Sequence, residues 1–212
     1  MEVRRIFVFL LLIFSVAAVL SSDEPVDLSK LICDTPACDM VAEMGDYEAY
    51  KLEHTIKLKT DAFSLQVPDE PLNKIIALED EIILFYKDGQ RLLIAEDSGP
   101  DVGELKNVKV NQFPQIVFTK TTKDEEPESH SDRFFWKVAL YQKPAFFNQA
   151  SEVSYAEKDG VSYFLSNSNE LGFSGSAMVS AENVKDRFLR IKAMNMEYGK
   201  FRKIASNVVV EK

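Results

Sequence analysis

Two aspartate-glycine dipeptides, each set between runs of alternating apolar residues, constrain this chain more than any other feature. In "DEIILFYKDGQRLLIAED" (Asp80 to Asp97) the turn falls at Asp88-Gly89. In "ASEVSYAEKDGVSYFLSNSN" it falls at Asp159-Gly160. Asp-Gly supplies the positive φ that tight hairpins need, and flanking period-two alternation gives each strand one buried face. The same alternation runs through "YKLEHTIKLKTDAFSLQVP". There Ile56 and Leu58, then Phe63, Leu65 and Val67, alternate with polar residues, and a turn or bulge is expected at Asp61-Ala62. Pro68 and Pro71 are expected to end that strand pattern. "LGFSGSAMVSA" reads as a strand of small residues. "DRFLRIKAMN" reads as a strand through Leu189, Ile191 and Ala193, against a rival helix starting at Ala181. "QIVFTKT" is another possible strand. "SDRFFWKVALYQ" has helical spacing, with Ser131 or Asp132 as the expected N-cap and Pro144 as the stop. The last element is expected to be helical through Met196, Phe201, Ile204 and Ala205, and extended from Val208 to Val210. The fold class this predicts is α+β: a single domain with a mainly antiparallel sheet and covering helices.

The N-terminus sets the expected compartment. Arg4 and Arg5 precede an apolar run from Ile6 to Leu20, 15 residues long, and Asp23 then opens an acidic stretch. This is the three-part pattern of a secretory signal peptide over residues 1–21, with cleavage near Ser21. A spanning helix needs about 20 apolar residues, so stable membrane insertion is not expected after cleavage. Residues 22–49 read as an N-terminal extension, and 50–212 as the globular domain. The only two cysteines, Cys33 and Cys38, lie in the extension and bracket "DTPA". An exported chain meets oxidising conditions, which favours a disulfide, and Pro36 favours a turn between the two. Zinc would need four ligands, and only His54 and His130 could join the pair. A redox pair usually has the closer Cys-x-x-Cys spacing.

Charge narrows the partners. The chain carries −9, and removal of residues 1–21 leaves −10. An acidic exported domain is a poor binder of nucleic acid, which needs clustered lysine and arginine. The absence of any Asn-x-Ser/Thr sequon leans toward a bacterial envelope, periplasmic or secreted.

The order of elements resembles the PsbP-like superfold over about residues 50–207. The phrases that carry the resemblance are "DAFSLQVP" (Asp61 to Pro68), the hairpin phrases "DGVSYFLS" and "GFSGSAMVS", and a closing Phe201, Ile204 and Ala205-Ser206. That last phrase stands one position short of the family's Phe-x-x-Ile-x-x-Ser. The loop "EEPESHSD" and the cysteine segment are additions to the pattern. The resemblance implies a shape and an accessory, assembly or ligand-holding role, with no single activity.

No residue pattern assigns catalysis, a metal or a cofactor. Gly172-Phe173-Ser174-Gly175-Ser176 approaches a nucleophile elbow, but serine stands where the last glycine belongs, and both histidines precede it. A small-residue strand closely approached by another element explains it better. The acids Glu125, Glu126, Glu128 and Asp132 with His130 form no ordered cage and read as a solvated loop. "RFFWKVALYQKPAFF" concentrates six aromatics beside that loop. Successive helical residues point about 100° apart, so at least one of Phe134, Phe135 and Trp136 is expected near the surface. The expected contact surface is therefore Phe134, Trp136 and Phe147 with Glu125, Glu126 and Glu128. The leading expectation is an exported, soluble, non-catalytic binding or accessory protein with a protein partner. The alternatives are a small serine hydrolase using Ser174 or Ser176 with His54 or His130, and a carrier of an apolar ligand.

Overall fold

A computed structural model describes residues 30–98, 108–168 and 172–211. Strands β7 (Val153–Lys158), β8 (Val161–Ser166), β9 (Gly175–Ala181) and β10 (Val184–Met194) form a meander. β10 then pairs with β6 (Arg91–Asp97), which continues through β5 (Glu81–Tyr86) to β4 (Leu72–Ala77). A two-residue strand, β1 (Glu43–Met44), closes the far edge beside β7, giving the order β1-β7-β8-β9-β10-β6-β5-β4. Every pair is antiparallel except β1 with β7. A second, three-stranded sheet holds β3 (Phe63–Pro68) between β2 (Thr55–Lys59) and β11 (Val209–Val210). The α+β class with a mainly antiparallel sheet is what the alternation requires.

The two Asp-Gly turns differ. At Asp159-Gly160 both residues have positive φ, 52° and 76°, as a two-residue turn demands. At the first hairpin only Gly89 is left-handed, and Tyr86 N–H donates to Gln90 at 2.9 Å, so Lys87, Asp88 and Gly89 form a longer loop.

Alternation along β8, β9 and β10 supplies two cores. One face carries Val161, Tyr163, Leu165, Ala177, Val179, Leu189 and Ile191. It packs on Phe63, Leu65 and Val67 of the small sheet and on Phe201, Ile204 and Ala205 of α4 (Tyr198–Ala205). The other face carries Phe164, Met178 and Phe188. They meet rings from α1 (Phe113–Thr119), α2 (His130–Gln142) and α3 (Pro144–Phe147). Phe113 stacks on Phe188 at 5.6 Å, and Phe118 lies 5.3 Å from Phe164.

Several expectations need correction. Gln115 to Thr119 of "QIVFTKT" belong to helix α1, not to a strand. Buried Phe113, Val117 and Phe118 share a helical face, and Pro114 suits a first turn that needs no N–H. The N-cap of α2 is Ser129, whose hydroxyl accepts from Asp132 N–H at 3.1 Å, rather than Ser131 or Asp132. Pro144 begins α3 instead of ending all helix. β4 starts directly after Pro71, so the prolines end only β3. The 11-residue β10 excludes the rival helix.

The small residues of β9 mark a close approach, as expected. A Cβ on Gly175 would lie 2.4 Å from Phe201 Cδ1. Gly175→Ala should therefore destabilise by about 1–3 kcal/mol through overpacking. Urea denaturation measures this, and an unchanged midpoint would contradict the packing described.

Candidate functional site

The N-terminal segment is clamped onto the domain and builds one wall of a cleft. Cys33 and Cys38 form a disulfide, with their Cα atoms 5.7 Å apart. Pro36 opens a single 3-10 turn, Pro36–Asp39, which buries Ala37 and Cys38. Asp39 accepts from Thr122 Oγ at 2.8 Å and pairs with Lys123 at 2.8 Å, and these contacts hold its carboxyl below the usual range. Ala42 N–H donates to the Phe118 carbonyl at 2.8 Å, at the C-terminal end of α1, and Gly45 N–H donates to the Tyr155 carbonyl at 2.8 Å. Tyr47 then reaches across the fold. Its hydroxyl donates to the Ser206 carbonyl at 2.8 Å, and its ring lies 5.1 Å from that of Tyr163.

Between this segment, β7 and α4 lies a cleft of about 380 Å³. Met40, Val41 and Met44 line it and are 44%, 54% and 69% exposed. With Ile32, they make up four of the eight exposed large hydrophobic side chains among the described residues. Half of these exposed apolar side chains therefore fall in one short segment rather than being scattered over the surface. Glu43, Asp46, Glu48 and Glu152 add carboxylates to the lining, and Arg202, 3.3 Å from Glu152, adds a cation. Tyr47 and Tyr50 also line the cleft, and each carries a lysine over its ring: Lys158 at 4.6 Å and Lys203 at 5.9 Å.

The expected contact surface does not form. Phe134, Trp136 and Phe147 are all buried, at 4%, 6% and 2% exposure. Three adjacent residues can be buried because α2 hides more than a narrow stripe. Phe134, Phe135, Trp136, Val138, Ala139 and Leu140 spread around most of its circumference. Solvent meets only a strip that includes Arg133, Lys137 and Tyr141. Glu125, Glu126 and Glu128 are exposed, and Glu126 pairs with Arg133 at 3.6 Å and Lys137 at 3.4 Å.

The serines are used structurally. Ser174 Oγ accepts from Met196 N–H at 3.0 Å and donates to the Ala193 carbonyl, while Ser176 is buried at 4%. Among the described residues no hydrogen bond joins either serine to His54, at the entry to β2, or to His130, at the start of α2. The disulfide removes both cysteines from the zinc alternative. Among the described residues no three His, Cys, Asp or Glu side chains are placed to hold a metal. No described helix is long and apolar enough to cross a membrane, and the signal peptide expected over residues 1–21 lies outside the described residues. Comparison with known families, with curated proteins and with solved structures finds no match.

One buried cation lies near the clamp. Lys143 is fully buried; its ammonium donates to the Lys120 carbonyl and sits 4.8 Å from the Phe147 ring. Burial pushes it down to about 8, against the opposing pull of Asp124 and Asp39. Burial also pushes Lys192 on β10 down to about 8, and Arg190 adds to that shift. The unfolded chain holds these protons up to about 10.5, so it binds more protons than the native state above about pH 8. Stability should then rise with pH from about 8 toward 9, before the buried hydroxyls of Tyr86, Tyr163 and Tyr198, which burial pushes up, begin to oppose it near pH 10; the rise should shrink in Lys143→Met and shrink further when Lys192→Met is added. Urea midpoints at pH 7, 8, 9 and 10 measure it. A flat or falling profile between about pH 8 and 9 would contradict both assignments.

Proposed function

We propose that the chain is an exported, non-catalytic binding protein of a bacterial envelope, acting through the edge cleft. The carrying observation is the concentration of exposed apolar side chains, Met40, Val41 and Met44, on a wall held in place by main-chain hydrogen bonds and a buried turn. A preformed, partly apolar surface binds without first ordering itself, which preserves affinity. The secretory pattern over residues 1–21 and the disulfide together support an oxidising, extracytoplasmic compartment. A PsbP-like shape, proposed on the phrases quoted above, would agree with an accessory role. The contact surface is assigned to the cleft in place of Phe134, Trp136 and Phe147, whose rings are buried.

A photo-crosslinking amino acid at position 44, in protein exported by its own host, tests this. A discrete adduct from position 44, competed by unlabelled protein and absent from the exposed β4 position 75, is the expected result. Equal labelling from both positions, or none from position 44, would overturn the assignment.

A further inference from the structure

The open edge beside the cleft has a chemistry that selects its occupant. β1 is the outermost strand of the large sheet. Gly45 N–H is spent on the Tyr155 carbonyl of β7, and the alternation of a strand turns the Met44 peptide group the other way. At Ala42 the outer side is already taken by the Phe118 carbonyl. From Met44 onward the described residues leave that side unpaired. An extended peptide can therefore pair at Met44, the mode of recognition in which a partner strand joins a sheet edge. Such edges are usually blunted by lysines or covered. This one instead carries carboxylates and a methionine that is 69% exposed.

Charge then decides between peptides. Glu43 and Asp46 have no ion-pair partner among the described residues, and Glu48 only accepts from the Tyr50 hydroxyl. The single guanidinium in the lining is committed to Glu152. Lys158 over Tyr47 and Lys203 over Tyr50 show that these rings already accept ammonium groups of the chain itself. We infer that the cleft receives an extended segment of a partner protein that carries both lysine or arginine and apolar residues, paired to β1 at Met44. The apolar side chains meet Met40, Val41 and Met44, and the cations meet Glu43, Asp46 and Glu48. The inference rests on the cleft being the contact surface and adds the partner's chemistry.

The test is an NMR titration of the isotope-labelled mature protein with two synthetic hexapeptides, acetyl-(Lys-Val)3-amide and acetyl-(Glu-Val)3-amide. The expected result is shifted amides at 43–48 and 152–156 with the lysine peptide alone. Binding should weaken roughly three- to tenfold in Glu43→Gln/Glu48→Gln, because rim charges are individually modest. It should also weaken as salt rises, because exposed charges are screened. Equal shifts from both peptides at the same amides would overturn the charge inference and leave the cleft as the contact surface. No shift at these amides, alongside a specific crosslink from position 44, would overturn strand addition and leave the proposed function standing. Loss of both signals would remove the two together.

Discussion

Two-sided burial of β8, of β9 and of Phe188-Leu189 in β10 is the constraint on which the remainder of the structure depends. All seven residues of β9 are buried, from Gly175 to Ala181. A strand with no solvent face must be covered on both sides, and each side needs its own partner layer. Phe63, Leu65 and Val67 with α4 cover one side, and the rings of α1 to α3 cover the other. The closeness of these layers fixes side-chain size. Gly175 leaves the space that Phe201 fills, and Ser166 and Ser180 are buried at the other positions.

The hairpins were legible in the sequence because their information is local. A turn dipeptide and a period of two need only neighbouring residues to interpret, so β5 to β8 and the strand character of β10 follow directly. α1 reads as a strand from sequence because seven residues, Phe113–Thr119, are too few to distinguish the two periods. Its helical state is decided by Phe118 meeting Phe146, Phe147 and Phe164, contacts distant in sequence. The aromatic segment was misjudged for a related reason. A helix buried on several sides has no polar stripe wide enough to force a ring outward, and what covers Trp136 cannot be inferred from its own neighbours. The cleft left the faintest trace. Met40, Val41 and Met44 are too few to establish a period, although their spacing suits a helix that does not form, and only their apolar character between acidic residues distinguishes them.

The N-terminal segment is coupled to the domain by a different kind of interaction from the two cores. Its anchors are a few discrete contacts: the buried Ala37-Cys38 turn, Asp39 with Thr122 and Lys123, Ala42 on Phe118, Gly45 on Tyr155, and Tyr47 on Ser206. The disulfide closes a short loop at the head of this series. In the chain-entropy account it contributes roughly 2 kcal/mol, which is local to a segment that has little core of its own. The cleft wall thus rests on these discrete contacts and on the few side chains, Ala37, Ala42 and Tyr47, that it lends to the two cores. Its position would depend on an oxidising compartment, in keeping with the proposed export.

Hydrogen exchange of the oxidised and reduced protein, followed by mass spectrometry, tests this separation most directly. Faster exchange on reduction, confined to about residues 37–48 while β8 to β10 stay protected, is the result predicted for a wall clamped onto an independent two-core domain. Unchanged exchange in that segment, or loss of protection throughout β8 to β10, would contradict it.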